Sequence, residues 1–370
     1  AALEGKLSYA RSLDWFVERC PAIKEVHDAS SLARIPLLEL EGDAELTLAD
    51  LAEFSHRASG GGLTLTSGGS TGGRKQLTHS WPFNERVMEL GARGFLSAEE
   101  RPAVILNCLT AGEMQGAFLF ACGVAERIGA RVLPAGWAMH REQLIALMES
   151  HHVDTLVATP SFASSFLCDE GTSGARLSAL RRVLFIGEAF SEARSAGILT
   201  RFPRLIIRSL GYSSTETGPI GFQCQQQTGS RHHVHADAMH IEVIDPVSLR
   251  PVVPGEEGEL IVTPLIPDHA PMFRYRIGDL GRFETQCVPC PCGSPLPVIT
   301  LLGRAERSIK LGGALITQRQ VLSVLRRVVP ELAPEDIQVQ YSTDDPRGAH
   351  ITLALSSHTV PVHAEELIGN

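Results

Sequence analysis

Leu63-Thr64-Leu65-Thr66-Ser67-Gly68-Gly69-Ser70-Thr71-Gly72-Gly73-Arg74-Lys75 runs from a short apolar strand into a loop of three hydroxyls and four glycines. Glycines let backbone N–H groups approach an anion closely, and the hydroxyls add side-chain donors, so the loop suits phosphate. Each hydrogen bond to a charged group contributes about 1.5–3 kcal/mol. A Walker-type loop is the obvious rival. Gly68 and Gly73 have its spacing, but Arg74-Lys75-Gln76 follows, with no hydroxyl for magnesium. That reading fails. Taken alone, the segment keeps a bland alternative as a glycine/serine-rich linker.

Working outward, short apolar runs alternate with helical patterns from about residue 60 to 220. Leu63–Thr66, Ala103–Leu106, Arg131–Leu133, Thr155–Ala158, Val183–Ile186 and Leu205–Arg208 read as buried strands. Trp81–Arg93, the first helical pattern after the loop, Arg141–His151 and Ser191–Arg201 read as helices between them. Such alternation means crossover units and a largely parallel sheet, an α/β fold. Past residue 230 the texture changes. Met239–Ile244, Gly258–Thr263 and Gly281–Glu284 are short strands between turn residues, which predicts a small β-barrel-like subdomain. In the last stretch Thr317-Gln318-Arg319-Gln320 matches a capping box, and Val321, Leu322, Leu325, Val328 and Val329 give one apolar helix face ending at Pro330. Ile337–Tyr341 and His350–Leu355 predict a hairpin. The expected division is a large domain over 1–304 (1–220 α/β, 221–304 β-rich) and a short α+β domain over 305–370.

A net charge of −9 gives no general basic surface for nucleic acid or anionic lipid. No apolar run approaches the roughly 20 residues of a membrane span. Ala1-Ala2-Leu3-Glu4-Gly5-Lys6 is charged early and lacks an apolar signal core, so a cytoplasmic protein is expected. Of eight cysteines, five are dispersed, while Cys287, Cys290 and Cys292 cluster, which suits a reducing compartment and a metal. Lysine occurs only at 6, 24, 75 and 310, so a retained lysine suggests that a compact ammonium is wanted.

Three further segments carry chemistry. Gly211-Tyr212-Ser213-Ser214-Thr215-Glu216 ends a strand-like run and sets an aromatic ring beside hydroxyls and a carboxylate. A base could stack on the ring while the carboxylate holds a metal–phosphate group. Tyr275-Arg276-Ile277-Gly278-Asp279-Leu280 offers Asp279 as an acceptor for ribose hydroxyls. Gly303-Arg304-Ala305-Glu306-Arg307-Ser308-Ile309-Lys310 falls where the last domain starts, a natural hinge. Singly, Glu216 reads as a surface carboxylate and Asp279 as a turn residue.

Together the four segments resemble the adenylate-forming superfamily of acyl-CoA synthetases, luciferase and peptide-synthetase adenylation domains. Ser31-Leu32-Ala33-Arg34-Ile35-Pro36, Ala158-Thr159-Pro160-Ser161-Phe162-Ala163, Phe185-Ile186-Gly187-Glu188-Ala189-Phe190 and Cys290-Pro291-Cys292-Gly293 are most similar to its phenylacetate–CoA ligase branch. The resemblance implies that Ser67, Ser70, Thr71, Gly72 and Lys75 orient the β- and γ-phosphates of ATP. It places Gly187 and Glu188 beside the adenine and the acid, and Gly211, Tyr212 and Ser213 around adenine. Thr215 would contact the α-phosphate, Glu216 would hold Mg²⁺, and Asp279 and Arg304 would fix the ribose. Thr215, Glu216 and Lys75 form the implied catalytic set. Glu306 takes a hinge position where the family more often has Asp. The acid pocket is expected between Met114-Gln115-Gly116, Phe162, and Ile186 to Phe190, apolar enough for an aromatic carboxylate. The same apolar residues could equally be core.

Cys287-x-x-Cys290-x-Cys292 has the spacing of a tight metal knuckle, with free thiols near a Pro-rich turn as the bland reading. The resemblance picks Cys224, His233, Cys290 and Cys292 as a structural zinc site, with Cys287 as the alternate fourth ligand. His232 and His235 are expected at the surface, and the sulfur-rich set leaves iron open. The family pattern also implies a longer C-terminal domain with a Gly-Lys segment whose lysine bridges the acid and the α-phosphate. No lysine follows Lys310. The expectation is therefore adenylation that is slower, or assisted by Lys75 or an arginine, with the adenylate passed to a partner enzyme. A complete aryl-CoA ligase and a weakened nucleotide or acid binder are the alternatives. In length the chain is similar to the short adenylating proteins of bacterial antibiotic pathways, such as that of griseoluteate-type phenazine biosynthesis. A homodimer is compatible with all of these.

Overall fold

The computed structural model describes residues 1–39, 46–58, 60–66, 76–96, 101–187, 189–285, 290–305, 308–311, 314–317, 325, 337–342 and 350–355. Three short helices, α1 (Ala2–Arg11), α2 (Asp14–Arg19) and α3 (Leu48–Arg57), come first. A reciprocal capping box sets the start of α3: the Thr47 hydroxyl accepts from the Asp50 amide, and the Asp50 carboxylate accepts from the Thr47 amide.

The strand before the glycine-rich loop, β1 (Gly62–Thr66), pairs antiparallel with β2 (Gln76–Ser80) in a hairpin apart from the parallel sheet. The helix expected over Trp81–Arg93 is α4 (Trp81–Leu96), and β2, which the sequence reading did not single out, lies between it and the loop. The reason is local. Leu77 and His79 are buried while Gln76 is exposed, the period of two that a strand imposes.

The parallel sheet is built from β3 (Val104–Asn107), β4 (Arg131–Pro134), β5 (Thr155–Ala158), β6 (Arg182–Phe185) and β7 (Ile206–Ser209), in the order β4-β3-β5-β6-β7. Helix α5 (Ala117–Ile128) lies between β3 and β4, α6 (Arg141–Ser150) between β4 and β5, α7 (Pro160–Cys168) between β5 and β6, and α8 (Glu192–Arg201) between β6 and β7. Alternate residues face opposite layers. Ile105, Val157 and Leu184 pack on α4 and α5 through Ala92, Phe120 and Val124. Leu106, Leu156 and Val183 pack on the other side against Leu144, Ala163, Leu167 and Ile198. Each such side chain contributes about 1.5–3 kcal/mol by leaving water, which is why these strands read as unbroken apolar runs. Thr159 caps α7, accepting from the Phe162 amide with Pro160 at the first helical position, so the chain leaves β5 in a fixed direction.

The second sheet holds β8 (Tyr212–Ser214), β9 (Gly218–Phe222), β10 (Arg231–Val234), β11 (Met239–Ile244), β12 (Gly258–Pro264), β13 (Tyr275–Phe283) and β14 (Val298–Arg304), all antiparallel, in the order β11-β12-β13-β14-β10-β9-β8. It begins at Tyr212. The expected barrel-like element is an open sheet, because its edge strands β11 and β8 are not paired to each other. It nevertheless curls. Four strand steps separate β13 from β8, about 19 Å if flat, yet side chains of the two strands touch as described below. The segment Tyr275–Leu280 lies within a strand, and the expected Gly281–Glu284 strand is the tail of the same β13. The N-terminal helices and the segment containing Ile35 and Leu38 cover this sheet. Arg274 donates to the carbonyls of Ala33 (3.3 Å) and Ile35 (2.7 Å), which ties Ser31–Pro36 to the strand entrance.

Beyond residue 305 the described residues form two antiparallel hairpins, β15 (Ser308–Leu311) with β16 (Ala314–Thr317), and β17 (Ile337–Ser342) with β18 (His350–Leu355). The second is the hairpin expected from sequence. Of the helix expected over 317–330, Thr317 ends β16, Leu325 is helical, and the rest lies outside the described residues. Among the described residues no helix is long and apolar enough to cross a membrane.

Candidate active site and metal centre

Ser67, Ser70, Thr71, Gly72 and Lys75 lie outside the described residues, as do Glu188, Glu306 and Cys287. The flanks of the glycine-rich loop are described: Thr66 and Gln76 are register partners at the end of the β1–β2 hairpin. That hairpin sits against the turn holding Met114, Gln115 and Gly116. A Cβ on Gly116 would lie 2.9 Å from Leu65, and Gln76 reaches Met114 with a 3.9 Å N–S contact.

The segment 211–216 meets β13 at two points. The Tyr212 hydroxyl donates to Asp279 Oδ2 at 2.7 Å, and the Tyr275 phenol lies within electrostatic reach of the Glu216 carboxylate. Arg304, opposite Asp279 in the β13–β14 register, donates to Asp279 Oδ1 at 3.0 Å. Gly278 has φ +78°, a conformation that favours glycine, and the β12–β13 register slips across it, between Arg276 and Leu280. Burial, then the Asp279 carboxylate, pushes the Tyr212 phenol well up; burial and Glu216 do the same for Tyr275. Both remain proton donors. Glu216 is 8% exposed, so it is buried, not the surface carboxylate that it reads as when taken singly. The Ser214 hydroxyl accepts from the Thr217 amide at 3.1 Å, closing a turn that carries Thr215 and Glu216. Ser213 and Gly211 lie on either side of Tyr212 at the start of β8.

The remaining expected residues gather at one end of the parallel sheet. Met114, Phe162, Gly187 and Phe190 follow β3, β5 and β6, neighbours in the sheet, at their C-terminal ends, where open α/β sheets bind ligands. Met114 is exposed; Phe162 and Phe190 are half-buried, packed on Phe166 and Phe185. Ile186 is different. It is buried among Ile105, Val157 and Leu184 and belongs to the core.

Reading the motifs alone misses His79 and Asp268. His79 Nδ1 lies 2.6 Å from Asp268 Oδ2, and Nε2 lies 2.8 Å from the Thr215 carbonyl. Neither residue stands in a recognisable spacing, since 189 positions separate them. Lys6 of α1 is also buried here, lining a water-sized space with Ser55, His79, Glu216 and Asp268.

On the far side of the same sheet Cys224, His233, Cys290 and Cys292 present ligand atoms all within 4.8 Å of one another. Cys224 and Cys290 sulfurs are 3.8 Å apart, and Cys292 Sγ lies 3.4 Å from His233 Nε2. Tetrahedral zinc, with bonds of about 2.3 Å to sulfur and 2.0 Å to nitrogen, sets edges of about 3.8 and 3.5 Å. The four donors fit it. His233 Nδ1 donates to the Leu296 carbonyl at 3.1 Å, leaving the Nε2 lone pair for a metal. Amides of Gln226 and Ser294 donate to Cys224 and Cys292, each at 3.4 Å, and Gln227 donates to Cys290 at 3.5 Å. Burial raises the Cys290 thiol, but the Cys292 amide and the neighbouring sulfurs and imidazole bring it down to about 7.

His232 and His235, expected at the surface, are 3% and 0% exposed. His232 lies on β10, and His235 directly follows it, its amide donating to the Ile220 carbonyl at 3.0 Å. His232 packs 6.0 Å from the Tyr212 ring and His235 stacks on Phe222.

Comparison with known proteins agrees with this architecture. The chain is 28% identical over 283 residues to the phenylacetate-coenzyme A ligase of Thermus thermophilus, covering 72% of this chain and 60% of that protein. It is 25% identical to the same-named enzyme of Aromatoleum evansii over 57% of this chain and 47% of the relative. The chain thus spans about half to three fifths of the length of these curated relatives. In fold it is similar to an open conformation of 2-hydroxyisobutyryl-CoA ligase in complex with 2-HIB-AMP and CoA (TM-score 0.71, 17% identity, 99% of this chain and 86% of that one). It is also similar to ATP-bound MatB from Rhodopseudomonas palustris (TM-score 0.60, 14% identity, 79% and 57%). The profile of the AMP-binding enzyme family matches residues 64–264, which run from β1 through the Tyr212–Glu216 segment to the end of β12. This chain belongs to the AMP-binding enzyme family.

Proposed function

We propose that the protein activates a carboxylic acid as its acyl adenylate at the expense of ATP. A carboxylate oxygen attacks the α-phosphorus, the bond to the β-phosphate oxygen breaks, and pyrophosphate leaves. The observation that carries the reading is the hydrogen bond from Tyr212 to Asp279, with Tyr275 beside Glu216, which brings two motifs distant in sequence to one place. On this reading Tyr212, Gly211 and Ser213 hold adenine beside Gly187 and Glu188, and Asp279 with Arg304 fixes the ribose. The loop from Ser67 to Lys75 takes the β- and γ-phosphates and Thr215 the α-phosphate. Glu216 offers hard oxygen to Mg²⁺, an ion that neutralises phosphate charge when bound. Catalysis comes mainly from positioning and charge neutralisation. On this reading residues 1–304 form the large domain and 305–370 a C-terminal unit, with Glu306 at the hinge position.

We infer an aromatic acid as substrate, because Met114, Phe162 and Phe190 offer apolar surface at the sheet end. A phenazine carboxylate of a secondary pathway is one candidate, with a partner enzyme consuming the adenylate. The names of the curated relatives favour a second reading, a complete aryl-CoA ligase. The Cys224–His233–Cys290–Cys292 set would hold structural zinc and take no part in the chemistry. ATP–pyrophosphate exchange with a panel of aromatic acids tests the proposal. Exchange that depends on one acid class is the expected result. ATP binding with no exchange for any acid makes the protein a nucleotide binder. Thioester formed on adding coenzyme A selects the complete ligase.

A further inference from the structure

Behind Thr215 and Glu216 lies a buried polar cluster that none of the four motifs contains. His79 is 2% exposed and its ring stacks on Phe83, with centroids 4.3 Å apart and planes 12° from parallel. One ring nitrogen faces the Thr215 carbonyl at 2.8 Å, the other the Asp268 carboxylate at 2.6 Å. The second Asp268 oxygen accepts from the Ser80 amide at 2.8 Å. Lys6 and Glu216 are the other charged groups around the adjoining space of about 10 Å³, room for one water at most.

A carbonyl oxygen only accepts, so Nε2 carries a proton. Burial raises the Asp268 carboxyl, but its bonds to His79 and to the Ser80 amide bring it below its ordinary range. Asp268, beside Nδ1, holds the ring in the orientation that aims the Nε2 proton at Thr215. We infer that His79, oriented by Asp268, is the positioning residue that clamps the Thr215 carbonyl, fixing the turn that carries Thr215 and Glu216. The bond acts where water is excluded, which strengthens it. Because the peptide unit is planar and trans, fixing the Thr215 carbonyl also fixes the direction of the Glu216 amide, opposite to His79. The Nε2 donor follows from geometry; the consequence for turnover rests on the adenylation reading.

The test pairs spectroscopy with exchange kinetics on the full chain. Long-range ¹H–¹⁵N correlation at pH 7, with the His79 signal identified by its loss in His79→Gln, should show a proton on Nε2, the nitrogen that faces Thr215. Absence of that proton in the unaltered protein overturns the inference. His79→Gln keeps a donor for the Thr215 carbonyl and should retain kcat for exchange within about fivefold. His79→Phe keeps the stacking but no donor and should lose about thirtyfold in kcat, with KM for ATP within about threefold. Equal losses in the two variants, or none in His79→Phe, overturn it as well. If no acid supports exchange in the unaltered protein, the adenylation reading fails, and the spectra still decide the clamp.

Discussion

The Tyr212 hydroxyl donates to Asp279 across 2.7 Å, although the two residues stand on strands that are four steps apart in the antiparallel sheet. The contact exists only because that sheet curls, and it occupies one oxygen of the carboxylate assigned to the ribose; Arg304 occupies the other.

Tyr212→Phe keeps the ring and removes the donor. Asp279 then loses that donor, and the variant should lose about 1 kcal/mol of stability and several-fold in ATP affinity. Asp279→Asn should weaken ATP binding further while the fold survives. Calorimetric titration with ATP, beside thermal unfolding, checks both. Unchanged ATP affinity in the two variants would remove Asp279 from the nucleotide site.

The metal centre predicts one bound zinc per chain by elemental analysis. Cys292→Ser should lower the unfolding midpoint by roughly 5 °C or more, because structural metal binding is folding free energy. Chelation of the unaltered protein should do the same while leaving the His79 spectrum unchanged. Iron in place of zinc would reassign the ion; no metal at all would reduce the four residues to a thiol cluster.

Phe162→Ala opens the half-buried surface that α7 presents near the end of β5. Exchange with a planar aromatic acid should fall about tenfold in kcat/KM, and larger or branched acids should gain relative to it. Ile186→Ala should instead cost stability, about 2–5 kcal/mol, because that side chain is core. Comparing acid profiles with urea unfolding separates the two roles.

Lys6 gives a pH signature. Burial pushes its ammonium from its ordinary 10.5 down to about 8, against the opposing pull of Asp268. Below pH 8 the lysine is charged both folded and unfolded, and its burial cost is carried in full. Between about 8 and 10.5 the folded form has released the proton that the unfolded chain still binds, so its contribution to stability rises with pH. Lys6→Met lacks this proton. The stability difference should therefore move in favour of the unaltered protein by roughly 2–3 kcal/mol between pH 7 and 10, read by urea unfolding. A difference constant across that range would place Lys6 in water.

Much of the architecture was readable without coordinates. Thr155–Ala158 is a strand with those bounds, and Arg141 and Arg201 bound helices as expected, because buried parallel strands and amphipathic helices leave unmistakable periods. Cys224, His233, Cys290 and Cys292 were selected by family resemblance, and the fold brings their donor atoms together. What failed was everything dependent on neighbours. β2 was not read from sequence, and His232 and His235 were taken for surface, since a residue's own chemistry does not say which strand will cover it.

The sequence by itself determined the layers of the α/β region and the identity of the four motifs, because local periodicity and composition are properties of adjacent residues. Only the tertiary structure decided that the antiparallel sheet would bend until Tyr212 met Asp279 and Glu216 met Tyr275. It alone placed His79, Asp268 and Lys6 behind them. The His79–Asp268 contact alone spans 189 positions, and its energy comes from excluding water around charges that no short stretch can exclude by itself.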